Sequence, residues 1–505
     1  MSKNQLRSGV LLSYLNLTLG MIIPFFYIPV MLGYLGQAEY GLYSLSASTV
    51  SYLSLLSFGF GSTIIRYIAK YRAEGDKLGE ETAFGFLLAL YMLMAAASMV
   101  LGFVLSAKVE VFFAEGLTTL EQEKMKILVL LMAFSTAIAF PISVFSAVIA
   151  AHERFICEKT LNVLSTAAGP IANLIALRLG YSSVGMALAG LIMQVIFLLP
   201  KIIYCFHIIG IRPRFSRMPK GLVREMFIFS FFTFLASLVD LLFWATDKVI
   251  LGMLAGTAAV AIYNMGGTFN SIVIGLSTSI SGLLVPRITA MVVNQTPKAE
   301  WTELFIRIGR LQFIIIGLVI SGFSVFGRTF LELWVGTDYL GAFWVAVLTM
   351  FPLCVPLIQN TGICILTAQN KHQFRSCVYL IIAVLNVITT WLIVPHGSYL
   401  GAAFCSCVSY LLGQGLIMNI YYCKVTGLDI PLFWKNILKM AIIPALMLAG
   451  GLLASRFIAI NNWLTFFTGV VLFTAIYAVL MYLFAMNDYE KDIIRKPLKK
   501  ILKRG

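Results

Sequence analysis

The chain states its own topology twice, and that repetition limits what it can fold into more than any other feature. Fourteen apolar stretches of membrane-spanning length run from end to end, and the first twelve read as two copies of a six-helix unit. After the first stretch comes Leu32-Gly33-Tyr34-Leu35-Gly36, then Tyr40-Gly41-Leu42-Tyr43-Ser44. About 220 residues later Leu251-Gly252-Met253-Leu254 is followed by Val260-Ala261-Ile262-Tyr263-Asn264. Phe140-Pro141 in the fourth stretch recurs as Phe351-Pro352 in the tenth, and Val184-Gly185-Met186-Ala187 opens the sixth as Leu400-Gly401-Ala402-Ala403 opens the twelfth. Internal repeats in a polytopic membrane chain are characteristic of transporters, whose central site lies where the repeats meet.

Composition removes most other classes. The 505 residues are 60% hydrophobic and 12% charged, about half the charge of a typical soluble domain. The longest polar pieces are Ala107 to Lys124, Ile211 to Glu225 and the tail from Asn487. None is as long as an independent domain of ~50 residues, so neither an ATP-hydrolysing domain nor a large outer catalytic domain is expected. Leu11 to Leu32 is too long for a cleavable signal and reads as a retained first span.

The expected spans are 11–32, 41–66, 82–106, 125–150, 161–179, 183–208, 226–249, 257–285, 307–327, 341–367, 376–395, 398–422, 436–456 and 463–486. They must be helices, because an open sheet would leave backbone groups unpaired in lipid. The sequence therefore predicts an all-α polytopic membrane protein with fourteen transmembrane helices. An N-terminal lobe (1–215, spans 1–6) and a C-terminal lobe (216–425, spans 7–12) precede an accessory pair and basic tail (426–505).

Lys and Arg set the orientation. With the N-terminus cytoplasmic, thirty of the 37 fall in inner loops and tails and six in outer loops, Lys248 lying within or at the end of a span. That is a strong positive-inside bias, and it places both termini in the cytoplasm. The net charge of +15 reports topology and calls for no nucleic-acid partner. The eight cysteines and four histidines show neither metal-site nor triad spacing, and no cofactor is expected.

Polar residues inside spans are costly and usually face a cavity or a bundle interior. Span 7 carries Thr233, Ser237, Asp240, Trp244 and Asp247, and span 8 carries Asn264, Thr268, Ser271, Gly275 and Thr278. Both runs follow 4-3-4-3 spacing, which puts each on one helical face. Span 2 holds Ser44, Ser48 and Ser51, and span 1 holds Ser13, Asn16, Gly20, Pro24 and Tyr27. Asn16, Ser48, Asn264 and Thr268 are the expected cavity lining; packing of helices through small residues is the alternative. Asp240 is deeper, and an acid there needs water or a partner. Arg66 and Arg287 end spans 2 and 8 at near-equivalent places. They are either topology anchors or a pair of guanidinium forks at a cavity mouth, suited to a pyrophosphate group. Asp247-Lys248 is either a local ion pair or part of an outer gate.

Pro29-Val30-Met31-Leu32-Gly33 through Tyr40-Gly41-Leu42-Tyr43-Ser44-Leu45, Ile65-Arg66-Tyr67 with Lys70-Tyr71-Arg72, and Asp247-Lys248-Val249-Ile250-Leu251-Gly252 through Ile262-Tyr263-Asn264 give the pattern a family likeness. It resembles the polysaccharide-transport (Wzx-like) branch of the multidrug/oligosaccharidyl-lipid/polysaccharide flippase superfamily, over essentially the whole chain. The resemblance implies two six-helix lobes facing a central cavity and no enzymatic activity. It implies flipping of an undecaprenyl-pyrophosphate-linked oligosaccharide from the inner to the outer leaflet of the cytoplasmic membrane. An ion gradient or the membrane potential would supply the energy, with Asp240 as the coupling site. The repeat equivalent of Asp240 is about Met21, so this acid has no symmetry mate.

A lipid II flippase is the nearest alternative. A membrane polymerase or glycosyltransferase is a third, although the outer loops offer only Glu39, the segment Ala107 to Lys124 with Glu110, Glu115, Glu121 and Glu123, and Glu332 with Asp338. The segment Ala107 to Lys124 reads as an interfacial helix. Expected partners are the lipid-linked oligosaccharide and membrane lipids, with a polysaccharide polymerase and assembly proteins as further candidates, and the chain is expected to act as a monomer.

Overall fold

Every long apolar stretch is helical in the computed structural model, and no strand occurs among the described residues. The structure describes residues 3–215, 220–282, 284–294, 296–369, 372–458, 460–493 and 495. The basic tail from Lys496 lies outside them. Among the described residues, twelve segments are long and apolar enough to cross a membrane. Two of these, Leu11–Ser57 and Gln373–Thr426, are 47 and 54 residues long, more than twice the ~20 residues that a crossing needs. Each is interrupted by one non-helical residue, Gly36 (φ 72°, ψ 174°) and Ser398 (φ 48°, ψ −140°). Those breaks fall where the sequence separates spans 1 from 2 and 11 from 12. The span numbers are kept below as labels.

The internal repeat is written in the backbone as well as in the residues. Gly36 and Gly256 sit at matching turns, with φ of 72° and 85°. Ser182 and Ser398 precede the repeated sixth-helix motif by the same two residues, with φ of 49° and 48°. Spans 6 and 12 both finish in π-helical turns, Tyr204–Ile209 and Tyr422–Thr426, each stopped by a left-handed glycine, Gly210 and Gly427. A serine held at positive φ is strained by ~1–2 kcal/mol, so its recurrence marks a geometry that the repeat needs.

The helix interiors are less alike. Span 8 runs unbroken as Thr257–Gly282. Span 2 breaks into a 3₁₀ turn, Tyr52–Ser57, followed by Phe58 and Gly59 in the left-handed region, and resumes at Phe60–Glu74. Span 4, Thr119–Ala151, carries Pro141 and stays continuous, whereas span 10 carries Pro352 and Pro356 and divides at Gln359. A second proline four residues on removes another backbone donor and adds another clash, which is enough to end the helix.

The chain divides into two compact units, Met1–Ala261 with Val394–Ser398, and Ile262–Ile393 with Tyr399–Gly505. In the first unit, Phe60, Ile64, Tyr67, Phe84, Leu87, Tyr91, Phe140 and Val144 form a buried core between spans 2, 3 and 4. The second unit is threaded with buried polar bonds. The Asn270 amide donates to Thr349 Oγ1 (2.8 Å), the Gln312 amide to Ser277 Oγ (3.1 Å), and Ser277 Oγ to the Leu357 carbonyl (2.7 Å). Gln359 Nε2 and the Trp434 indole both donate to Asn419 Oδ1 (2.8 and 2.9 Å). Spans 13 and 14 belong to this unit, where Phe326 and Phe330 of span 9 meet Phe466 edge-to-face and tilted.

Candidate functional site

Span 2 lies antiparallel against span 7 within the first unit, and their seam can be followed residue by residue. At the end read as outer, backbone meets backbone. A Cβ on Gly41 would lie 1.9 Å from the Thr257 carbonyl oxygen, and one on Gly116 would lie 2.0 Å from that of Gly252. A Cβ on Gly252 would meet the Leu45 side chain at 2.4 Å. Only glycine permits approaches this close. Thr257 Oγ1 donates to Glu121 Oε1 (2.8 Å), and Glu121 closes a capping box with Thr118. Beside it Glu39, in the turn between spans 1 and 2, accepts from Lys124 Nζ (2.8 Å) and Ser183 Oγ (2.5 Å). Burial opposes the Glu39 charge, but the Lys124 and Ser183 hydrogen bonds outweigh it and hold the carboxyl below the usual carboxylate range.

Midway, Tyr52 OH pairs with Thr246 Oγ1 (2.5 Å). Past the break in span 2, Phe58 stacks on Phe234 with centroids 4.6 Å apart. Gly59 there leaves no room for a side chain, since a Cβ would come within 2.6 Å of Thr233. Thr63 and Ser230 share a buried hydroxyl hydrogen bond of 2.8 Å, and Phe60 meets Phe227 edge-on at 4.9 Å. At the opposite end, read as inner, Arg66 faces Glu225 at 3.8 Å, with side chains 53% and 60% exposed. The seam is closed along its length, by small residues and rings and by few polar bonds.

The expected site residues divide between the units. In the first unit, Thr233, Ser237 and Asp240 share the exposed face of span 7, as their spacing requires. Asp247 lies on the same stripe in sequence but is fully buried. The helix breaks at Ala245 (φ −105°) and restarts as Thr246–Leu254, so the phase of the stripe is not carried across. Asp247 then occupies the first turn of the new helix, where the macrodipole favours an anion, and Lys248 beside it is half-buried. Asn16 is half-buried and accepts from the Thr166 hydroxyl of span 5 (2.8 Å), while Tyr27 OH accepts from Asn173 (3.2 Å). The seam of span 1 thus stitches it to span 5. Ser48 is buried and donates to the Ser44 carbonyl (2.9 Å).

In the second unit, Asn264 and Thr268 are half-buried on span 8, and the Thr268 hydroxyl returns to the Asn264 carbonyl (3.1 Å). Arg287 is exposed on the short helix Val285–Val293.

Sequence reasoning places Glu121 only within an interfacial helix and misses its role. The segment instead forms a single turn, Val109–Phe112, and then the capped start of span 4. The spacing Thr118-x-x-Glu121 is a capping-box signal that marks this start. Its bond to Thr257 had no such signal, because nothing local reports a contact 136 residues away.

This architecture is that of a multi-pass membrane protein. Residues 6–292 match the family described as "Polysaccharide biosynthesis protein", and the chain belongs to that family. Among solved structures it is similar to the lipid II flippase MurJ in an inward closed conformation, at 14% identity over 94% of this chain and 99% of that one, with a TM-score of 0.74. It is also similar to an inward-facing multidrug resistance MATE transporter of the MOP superfamily (14% identity, 84% and 99% covered, TM-score 0.63). A third likeness is to a mutant form of the Vibrio cholerae MATE transporter VcmN (14% identity, 85% and 98% covered, TM-score 0.59). No curated protein sequence matches it significantly. The fold is therefore shared with these transporters.

Proposed function

We propose that the protein is a flippase that carries an undecaprenyl-pyrophosphate-linked oligosaccharide, a polysaccharide or O-antigen repeat unit, from the inner to the outer leaflet of the cytoplasmic membrane. It works by alternating access across fourteen helices, with both termini in the cytoplasm. The observation that carries this reading is the family match over 6–292, which is to polysaccharide biosynthesis; the likeness to MurJ is one of fold. The lobes are taken as 1–215 and 216–425, with 426–505 as accessory helices and tail, and the chain as a monomer. Arg66 and Arg287 receive the pyrophosphate, for which a planar bidentate donor is well shaped. Asn16, Ser48, Asn264 and Thr268 border the sugar path. Asp240 couples the cycle to an ion gradient, a reading supported by its exposed place on the polar stripe of span 7. Asp247 and Lys248 form an outer gate against span 2.

The likeness to MurJ over 94% of the chain favours lipid II as the second reading. Reconstitution with fluorescent oligosaccharyl-pyrophosphate lipid and with lipid II, in separate proteoliposomes, decides between them. The first should become accessible from outside faster than the second. Equal rates, or preference for lipid II, would move the assignment to the cell-wall precursor.

A further inference from the structure

A cavity of about 620 Å³ lies in the second unit, beneath the ends of spans 9, 13 and 14 on the side of the basic loops. That volume falls within the ~300–1,000 Å³ of small-molecule sites. Its floor is built rather than incidental. Arg310 is held by Glu490 through two hydrogen bonds (2.6 and 2.9 Å), with side chains 8% and 1% exposed, and it donates also to the Ala485 carbonyl (2.8 Å). Asn487 and Glu490 cap each other reciprocally. The Arg307 guanidinium carbon sits over the Tyr489 ring, 3.1 Å from its centroid.

With Arg310 neutralised by Glu490, four charged groups remain around the cavity: Lys298 and Arg307, Glu303 and Asp429. Among the described residues none of these four makes an ion pair with another or with any other side chain. Asp429 gives one oxygen to the Leu432 amide (2.9 Å), leaving the other open. An anion here would meet two carboxylates, and a cation would meet two basic groups. A molecule carrying both charges satisfies both pairs.

We propose that this cavity binds a phosphoethanolamine group, with the phosphate on Lys298 and Arg307 and the ammonium on Glu303 and Asp429. The source is a lipid of the adjoining leaflet or the free zwitterion. Two observations favour the lipid. The cavity lies at helix ends, where head groups reside. Span 13, which starts at its rim, presents Leu432, Leu438 and Ile442 outward, surface on which acyl chains can lie. A primary ammonium donates hydrogen bonds to carboxylates and a trimethylated one does not, so ethanolamine is preferred to choline.

The test is native mass spectrometry of the delipidated full chain with phosphatidylethanolamine, phosphatidylcholine or phosphatidylglycerol. Ethanolamine lipid should be retained about tenfold more tightly than either of the others, the worth of one charge-assisted hydrogen bond. Lys298→Gln and Glu303→Gln, both at exposed positions, should each remove most of that preference, and Glu303→Gln should raise binding of phosphatidylglycerol. Displacement by soluble O-phosphoethanolamine would assign the cavity to the free zwitterion, and its failure to displace would assign it to the lipid. Equal retention of the three lipids by the parent, or unchanged selectivity in both variants, would overturn the proposal. No outcome depends on which lipid-linked substrate is carried.

Discussion

The two repeats keep the same turns and fill their helices differently. Gly36 and Gly256, Ser182 and Ser398, Gly210 and Gly427 hold matching left-handed positions, so the chain reverses at the same places in both halves. Between those turns the first repeat is interrupted in span 2, at Tyr52–Gly59, and its contact with span 7 relies on glycines, rings and few hydroxyl bonds. The second repeat keeps span 8 whole and ties it to spans 9 and 10 through Asn270, Ser277 and Gln312. Apolar and small-residue seams part without leaving unsatisfied groups, whereas buried amides do not. The difference teaches which contact would cost least to open: the seam between spans 2 and 7.

The largest expected effect lies in the welded region. Arg310→Met would strand the buried Glu490 carboxylate and should cost about 3–5 kcal/mol. Thermal unfolding in detergent should show it, and Glu490→Leu added to Arg310→Met should restore most of the loss. Persistence of the full loss in the double variant would mean that the pair does not weld this region. Next comes the glycine seam. Gly41→Val would drive a side chain into the Thr257 carbonyl and should cost about 1–3 kcal/mol or more. The repeat equivalent is Ala261, whose side chain is already accommodated, so Ala261→Gly should cost only about 1 kcal/mol. Equal losses at the two positions would erase the contrast between the repeats.

The smallest effects are at the surface. Arg66→Gln breaks an exposed pair and should change stability by less than about 1 kcal/mol, while flipping should fall if Arg66 receives the pyrophosphate. Glu39 gives a pH signature. Its carboxyl is held below the ordinary range in the folded protein, so its contribution is present above the unfolded value, about 4.3, and is lost as pH falls through the lower folded value. Glu39→Gln should therefore differ from the parent in melting temperature at neutral pH, and the gap should close as the pH drops below about 4.

Much of this was legible beforehand because lipid simplifies the code. Hydropathy gives the long helices, and repeated Gly-Tyr motifs the internal symmetry. The site was legible only in part. The periodicity of Thr233, Ser237 and Asp240 survives as an exposed face, but Asp247 departs from it because the break at Ala245 leaves no mark in the hydropathy. Ser48 shows the other limit. A serine stripe looks alike whether it faces water or bonds its own helix, and here the hydroxyl returns to Ser44. The Glu121–Thr257 and Thr63–Ser230 bonds join residues far apart in the chain, which no local pattern reports.

The central claim is that transport requires spans 2 and 7 to separate. Thr63 and Ser230, whose hydroxyl oxygens lie 2.8 Å apart, can be replaced by cysteines close enough for a disulfide to join the two helices. In proteoliposomes carrying the lipid-linked oligosaccharide, the oxidised Thr63→Cys, Ser230→Cys protein should lose flipping, and reductant should restore it. The same cross-link at Asn270 and Thr349, inside the second repeat, should leave flipping intact. Full transport by the oxidised Thr63→Cys, Ser230→Cys protein would contradict the account.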